Sequence, residues 1–336
     1  MSRVVLRVVR EGLMTTVQDC GRMGYGHLGV PQSGALDLLS HRLANRLVGN
    51  PDSAAALEMT LKGDEFECLE DVVAAVCGAD MQPQMLGKDG STRAFPQQCP
   101  VFVPRGTVLK FGLAVRGCRA VLAVAGGIDV PELLGSRSTL LRGGWGGFEG
   151  RRLAAGDCPA AGEPVCLGHP RWQLPFGTAP AWSIHLRSLP SLSARTPATL
   201  RFLSGTHWGQ LTPAAQAAFS GHRFVLRSES DRMGYRLRGP VLKLEEADHG
   251  RLKSAAVVPG TLQLPADGQL LLLMADCAPT GGYPRIGHVI SADLSLAAQL
   301  RPGDELRFVE VSHDQALLAL QEQERDLRRA LVMAGL

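Results

Sequence analysis

Three short words recur along this chain, in the same order and at nearly one spacing. Gly106-Thr107 returns 154 residues later as Gly260-Thr261. Gly126-Gly127, which follows the apolar run Ala120 to Ala125, returns 155 residues later as Gly281-Gly282, after Leu270 to Ala275. Leu153-Ala-Ala-Gly-Asp157 returns 147 residues later as Leu300-Arg-Pro-Gly-Asp304. Self-similarity at one period is the mark of a duplicated unit, so the chain is expected to fold as two related halves. A fourth word, Arg22-Met-Gly-Tyr25, returns as Arg232-Met-Gly-Tyr235 at a spacing of 210, outside that register. Either an insertion separates it from its copy, or the opening segment crosses over to the other half.

The halves read as β structure. Glycine makes up 39 of 336 residues, well above a usual share of about 7%, and favours turns over long helices. Val72 to Val76, Val101 to Val103, Val108 to Leu113 and Arg119 to Val124 are short apolar runs cut by Gly-Lys-Asp-Gly, Pro-Arg-Gly and Arg-Gly. Beyond a proline-rich stretch at 168–197, which reads as the linker, come Leu200 to Leu203, Phe224 to Leu226, Val241 to Leu244, Leu262 to Leu264, Leu270 to Met274 and Leu306 to Val311. Many short strands separated by turn signals indicate barrels or sandwiches. The domains are expected over 1–180 and 198–336. A few helices interrupt them. Leu36, Leu39, Leu43 and Leu47 form one stripe, started by Ser33 or Asp37 and stopped by Gly49-Asn50-Pro51. Asp52 is expected to cap a short helix through Ser53 to Glu58, and Thr212-Pro213 to open another. Ser312-x-x-Gln315 is a capping box for a C-terminal helix that carries Leu317, Leu320, Leu327 and Leu331.

Composition narrows the function. A net charge of +3, with no basic block interleaved with aromatics, gives no footprint for nucleic acid. Arg3, Arg7 and Arg10 break up any apolar leader, and no run reaches the roughly 18 residues of a membrane helix. A cytoplasmic location is expected. The eight cysteines form no C-x-x-C and the nine histidines no H-E-x-x-H, so no protein-bound metal is expected.

The polar chemistry is concentrated in Glu11 to Asp37, where Thr15, Thr16, Gln18, Asp19, Arg22, Tyr25, His27, Ser33 and Asp37 alternate with six glycines. Gln18, Asp19 and Arg22 could bind a carboxylate or phosphate, since a guanidinium offers a planar fork to paired oxygens. Alternatively, Asp19 and Arg22 pair with each other across a turn. Asp231-Arg232 repeats this acid–base character, with an exposed ion pair worth about 0–1 kcal/mol as the alternative. Asp276 through Thr280-Gly-Gly-Tyr283 places polar groups at a sheet rim, where ligands commonly bind. Gly143-Gly-Trp-Gly-Gly147 lacks the Gly-Lys-Ser/Thr of a phosphate loop and reads as a flap or a plain turn. No G-x-S-x-G is present and no cysteine neighbours a histidine. The chain is equipped to bind and polarise, not to form covalent intermediates.

The words Gly-Leu-Met-Thr-Thr-Val-Gln-Asp, Gly-Val-Pro-x-Ser-Gly-Ala, Arg-Leu-Ala-Asn-Arg-Leu-Val-Gly-Asn, Ser-Asp-Arg-Met-Gly-Tyr-Arg-Leu and Thr-Gly-Gly-Tyr-Pro-Arg-Ile resemble the family of the C subunit of 5-oxoprolinase. That family is also called KipA-like, allophanate hydrolase subunit 2-like or biotin-dependent carboxyltransferase-like. The resemblance runs from about Gly12 to Val311. It implies a mainly β chain of two tandem cyclophilin-like β-barrel domains, with a few short helices and a C-terminal helix. It also implies one component of an enzyme that, with a KipI-like B subunit plus an A subunit, opens 5-oxo-L-proline to L-glutamate. ATP and Mg2+ would act at the level of the complex, and neither would be held tightly by this chain alone. Two other readings follow from the same family. One is a carboxyltransferase component like that of urea carboxylase, which would need a separate carrier because no Met-Lys-Met biotinylation site is present. The other is a non-enzymatic antagonist of a KipI-type kinase inhibitor.

Roles are assigned here from side-chain chemistry. Arg22 and Arg232 would neutralise developing negative charge, and Asp19, Asp231 and Asp276 would orient a ring nitrogen, a water or Mg2+. Gln18, Tyr25, His27, Ser33, Tyr235, Gln263, Thr280 and Tyr283 would line the substrate site with Asp276. The chain departs from the family pattern at Gly26, at Ser254-Ala255-Ala256 and at Cys277-Ala278-Pro279. These positions bear on which substrate is accepted.

Overall fold

A computed structural model describes residues 2–164, 183–184, 186, 197–245 and 252–335. All but four residues of the proline-rich stretch 168–197 lie outside the described residues, as does Cys166. Among the described residues the architecture is mainly β, with four α-helices. The chain divides into two compact units. One comprises Met1–Arg22, Ser33–Leu189 and Asp326–Leu336, and the other Met23–Gln32 and Pro190–Arg325.

In the first unit, two five-stranded sheets share one core. One runs in the order Leu6–Arg10, Glu65–Cys68, Val108–Lys110, Gln84–Leu86, Thr92–Ala94. The other runs Met14–Gln18, Ala56–Thr60, Arg116–Val124, Val72–Asp80, Val101–Val103. Strand alternation sets the two faces of the second sheet. Val17, Leu57, Met59, Ala74, Val76, Leu122 and Val124 point into the shared core, with Leu6, Val8, Phe66 and Leu109 of the other sheet. Ala56, Val73, Ala75, Val121 and Ala123 point outward, under Leu39, Leu43 and Leu47 of helix α1 (Leu38–Leu47) and Leu327 of α4 (His313–Met333). Asp37 caps α1, its carboxylate accepting from Ser40 N at 3.0 Å.

Ala56–Thr60 corrects the expected helix at 53–58. It pairs along its length with Met14–Gln18 and also with Arg116–Val124, and a segment flanked by two partners gains more as strand than as a helix of under two turns. Asp52, the expected cap, accepts instead from Arg42 Nε at 3.0 Å and Arg46 Nε at 2.5 Å.

The second unit closes a seven-stranded barrel, Ala198–Ser204, Arg285–Val289, Thr261–Gln263, Leu270–Leu273, Gly234–Arg238, Phe224–Leu226, Glu305–Glu310. Glu305–Glu310 returns to Ala198–Ser204 in parallel. Helix α2 (Pro213–Gly221), capped by Thr212, carries Phe219 onto the aromatic core. The Phe219 ring stacks on Phe308 at 4.9 Å and meets Phe202 edge-on at 4.9 Å. Helix α3 (Ser291–Ala298), which the sequence reading omitted, follows. In the C-terminal helix, Ser312 and Gln315 exchange the two capping bonds, at 2.8 and 3.2 Å.

Two of the recurring words share one geometry. Gly156 and Gly303 both have φ 93°. Asp157 Oδ2 accepts from Ala154 N at 2.7 Å, and Asp304 Oδ2 from Arg301 N at 2.8 Å. Each glycine N–H then donates at 2.8 Å to a strand carbonyl, of Val8 in the first unit and Leu226 in the second. Gly106-Thr107 and Gly260-Thr261 likewise close matching turns onto Pro104 O and Val258 O, both at 3.1 Å. The glycine pairs differ. Gly126 and Gly127 have positive φ, whereas Gly281 lies in the strand Thr280–Gly281.

Phe219 touches three other buried rings, so Phe219→Ala should lower unfolding free energy by about 3–5 kcal/mol. A denaturant midpoint shift worth less than about 1 kcal/mol would show that the ring cluster does not hold the barrel.

Candidate functional site

The outer face of the sheet that contains Met14–Gln18 changes character along its length. Under the middle of α1 it is small and apolar. Towards the start of α1 it carries Thr16, Gln18, Glu58, Thr60 and Arg119, all at most 7% exposed. Register brings these together, since Thr16 pairs with Glu58, Glu58 with Val121 and Thr60 with Arg119. Ser33 and Asp37, from the segment that leads into α1, and Ser40 and His41, from its first turn, are also buried. Ala35 N donates to Asp19 O at 2.9 Å and Leu36 N to Glu58 Oε2 at 2.8 Å, which ties that segment to the sheet end. A charged, buried face is costly unless its groups are matched.

Asp19 shows how they are matched. Its Oδ1 accepts from Gly21 N at 2.8 Å, Ser136 Oγ at 2.7 Å and Ser138 Oγ at 2.5 Å, and its Oδ2 from Arg137 N at 2.6 Å. Arg22 donates from Nη2 to Ser138 O at 2.5 Å, and its guanidinium lies 4.5 Å from the centre of the Trp145 ring. Gly146, with φ 73°, lets the chain pass. A Cβ there would sit 2.3 Å from Ser138 O and 3.1 Å from Arg22 Nη2. The Gly-Gly-Trp-Gly-Gly word is therefore packed onto Ser138 and Arg22. Gln18 Nε2 donates to Thr16 Oγ1 at 3.0 Å and Thr139 O at 3.2 Å.

Four predicted site residues, Gln18, Asp19, Arg22 and Ser33, thus share this end of the first unit. Tyr25 and His27 belong to the second unit, with Asp231, Arg232, Tyr235, Gln263, Asp276, Thr280 and Tyr283. There Arg232 grips Asp276 with two prongs, Nε to Oδ2 at 2.9 Å and Nη2 to Oδ1 at 3.1 Å, both side chains 4% exposed. Asp231, exposed, accepts from Met233 N and Gly234 N in its own turn. Tyr235 is buried in the barrel wall, and Gln263 is buried against Gly281. Thr280, Tyr283 and His27 are exposed, and Tyr25 is half-buried. His27 Nδ1 lies 3.0 Å from Gly24 O.

Glu58, Arg119, His41, Ser136 and Ser138 were assigned no role from the sequence, and Trp145 stands in the Gly143-Gly-Trp-Gly-Gly147 word read as a flap or a plain turn. Cross-strand register assembles the first two, which no spacing reveals. His41 and Asn45 lie within the word Arg-Leu-Ala-Asn-Arg-Leu-Val-Gly-Asn or just before it, which was the available signal. Burial holds the His41 imidazole below its usual pKa, against the opposing charges of Glu58 and Asp19. Burial also pushes the Cys20 thiol up to about 11, and a thiol so raised is a poor nucleophile. Among the described residues, no group of three or more His, Cys, Asp or Glu is placed to hold a metal ion, and no helix is long and apolar enough to cross a membrane.

The site in the first unit is thus a largely buried polar sheet end. The chain belongs to the family of the carboxyltransferase domain, subdomain A and B, which matches residues 28–310. It is 38% identical over 321 residues to the C subunit of 5-oxoprolinase from Escherichia coli (strain K12), covering 96% of each chain. It is 34% identical to that of Haemophilus influenzae over 90% of this chain and 89% of the relative. The Kluyveromyces lactis urea amidolyase structure superposes with a TM-score of 0.85 at 31% identity, over 98% of this chain but only 20% of that one.

Two buried carboxylates outside the sheet end, Asp276 and Asp64, make opposite predictions. Removing one partner of Arg232–Asp276 strands a buried charge, so Asp276→Ala should cost about 3–5 kcal/mol, while Arg232→Met with Asp276→Leu recovers most of it. Equal losses in the single and double variants would sink that account. Asp64 Oδ1 accepts from Thr15 Oγ1 at 2.6 Å and Gly12 N at 2.7 Å, and burial raises its pKa from 3.8 to about 6. Between those values the folded state holds the extra proton, so this group's contribution to stability falls as pH rises through about 4 to 6. Asp64→Asn should flatten that window, gaining about 3 kcal/mol relative to wild type between pH 4 and 7. Parallel pH profiles for the two proteins would refute it.

Proposed function

We propose that this chain is the C subunit of an ATP-dependent 5-oxoprolinase, which opens 5-oxo-L-proline to L-glutamate together with a KipI-like B subunit plus an A subunit. The observation that carries this reading is the end-to-end match to two proteins named as the C subunit of 5-oxoprolinase. The site chemistry agrees with a shared task. Opening an unstrained lactam needs polarisation of a carbonyl and a driving force. ATP supplies the latter, with Mg2+, at the level of the complex. The residues of this chain would bind and orient. Arg22, held between Ser138 O and Trp145, and Arg119 would place positive charge near the sheet end. Asp19 would hold the Ser136–Ser138 turn in position. Arg232 and Asp276 would brace the second unit, with Gln263, Thr280 and Tyr283 at its rim.

The fold match to urea amidolyase favours one second reading, a carboxyltransferase component fed by a separate biotinylated carrier.

Co-expression with both partner subunits should give ATP-dependent release of glutamate from 5-oxo-L-proline, whereas the purified chain alone should give none. Robust turnover by the isolated chain would overturn the shared-complex reading. ATP- and bicarbonate-dependent carboxylation of urea, once a biotin carboxylase and carrier are supplied, would favour the second.

A further inference from the structure

Apart from atoms of the two arginines, three buried polar atoms at the sheet end have no hydrogen-bond partner among the described residues: Gln18 Oε1, Ser33 Oγ and His41 Nδ1. Their side chains are 0%, 2% and 0% exposed. Leaving such a group unmatched costs about 1–3 kcal/mol, so three together call for a complement. Their chemistry is fixed by their neighbours. Gln18 spends its Nε2 on Thr16 and Thr139, so Oε1 is an acceptor. The histidine is set by a relay of amides. Gly126 N donates to Asn50 Oδ1 at 2.8 Å, which turns Asn50 Nδ2 towards Val124 O at 2.8 Å and Asn45 Oδ1 at 3.0 Å. Asn45 therefore presents Nδ2 to Ala54 O at 2.9 Å and to His41 Nε2 at 3.1 Å. Facing that amide N–H, His41 Nε2 is placed as the acceptor, which puts the proton of the neutral ring on Nδ1. Ser33, held at φ 57° just before the segment tied to Asp19, can donate or accept.

An acceptor, an N–H donor and a hydroxyl complement a molecule that presents N–H and C=O on one edge. We propose that Gln18, Ser33 and His41 form a subsite for the amide edge of a small lactam or urea, with Gln18 Oε1 accepting from its N–H and His41 Nδ1–H donating to its carbonyl. Asn45 and Asn50 act as positioning residues that hold the His41 tautomer. This rests on the proposed reaction only for the choice of the first probe.

The full chain, alone and co-purified with its partner subunits, is titrated calorimetrically with 5-oxo-L-proline, urea and L-proline, the last lacking the amide edge. One amide probe should bind and L-proline should not. Gln18→Leu and Ser33→Ala should each weaken that binding about tenfold. Histidine 15N spectra of the wild-type chain, with His41 identified by its loss in His41→Gln, keep the test open where a variant fails to fold. They should show the proton on Nδ1 and a shift of that signal with the binding probe only. A proton on Nε2, or no response to either amide in any preparation, overturns the subsite. So does a crystal structure in which water bridges the three atoms and neither amide displaces it. Turnover of 5-oxo-L-proline with His41 unmoved removes the subsite and leaves the reaction. A His41 shift with urea, in a complex that leaves 5-oxo-L-proline intact, removes the reaction and keeps the subsite.

Discussion

The carboxylate of Asp19 pins the first unit's polar end. A charge only 6% exposed would be prohibitive without donors, and it has four. Two come from the backbone and two from serines, so the charge is spread over neutral dipoles. The consequences spread outwards. Ser136 and Ser138 can donate only if residues 136–139 lie against the end of Met14–Gln18. That places Ser138 O under Arg22 and draws the glycines around Trp145 into contact. Each hydrogen bond to a charged group contributes about 1.5–3 kcal/mol, so the turn is held more tightly than a surface loop.

The second unit meets the same cost another way. Asp276 is neutralised by a two-pronged guanidinium instead of by hydroxyls and amides. Both solutions give each carboxylate oxygen at least one donor. Asp19 and Asp276 therefore fix the geometry of their surroundings, the first through the 136–139 turn and the second through Arg232.

Parts of this were legible in the sequence because they are local. Thr212-Pro213, Ser312-x-x-Gln315 and Asp37 before a leucine stripe each specify a helix start within a few residues. Leu153-Ala-Ala-Gly-Asp157 and its copy specify one turn twice, down to the aspartate bond. What was not legible depends on partners distant in the chain. Glu58 lies in a segment that reads as helical, and only its pairing with Thr16 on one side and Val121 on the other makes it a strand with an outward carboxylate. Gln18 and Ser33 stood out as polar residues among glycines. His41 did not, because a histidine in a leucine-striped helix usually signals a solvated face. The Arg-Met-Gly-Tyr repeat misled by composition. Met23 is exposed and Gly24 left-handed in the first copy, whereas Gly234 and Tyr235 open a barrel strand in the second.

The outer face of the sheet changes from apolar packing to buried polar groups along its length. Its apolar part uses Ala56, Ala75 and Ala123, small enough for α1 to lie close and bury three leucines. Continuing that choice by one more row would have covered the start of α1 cheaply. Instead Thr16, Gln18, Glu58 and Arg119 occupy the next positions, and the helix answers with Asp37, Ser40 and His41. Every one of these must find partners that an alanine or valine would not need, and an amide relay of Asn45 and Asn50 is spent fixing a single ring. Natural sequences depart from consistent local choices mainly where a site requires it. The break from alanine to glutamate, glutamine and arginine within one sheet face is therefore the feature on which the proposed binding end of the first unit rests, more than on any single residue.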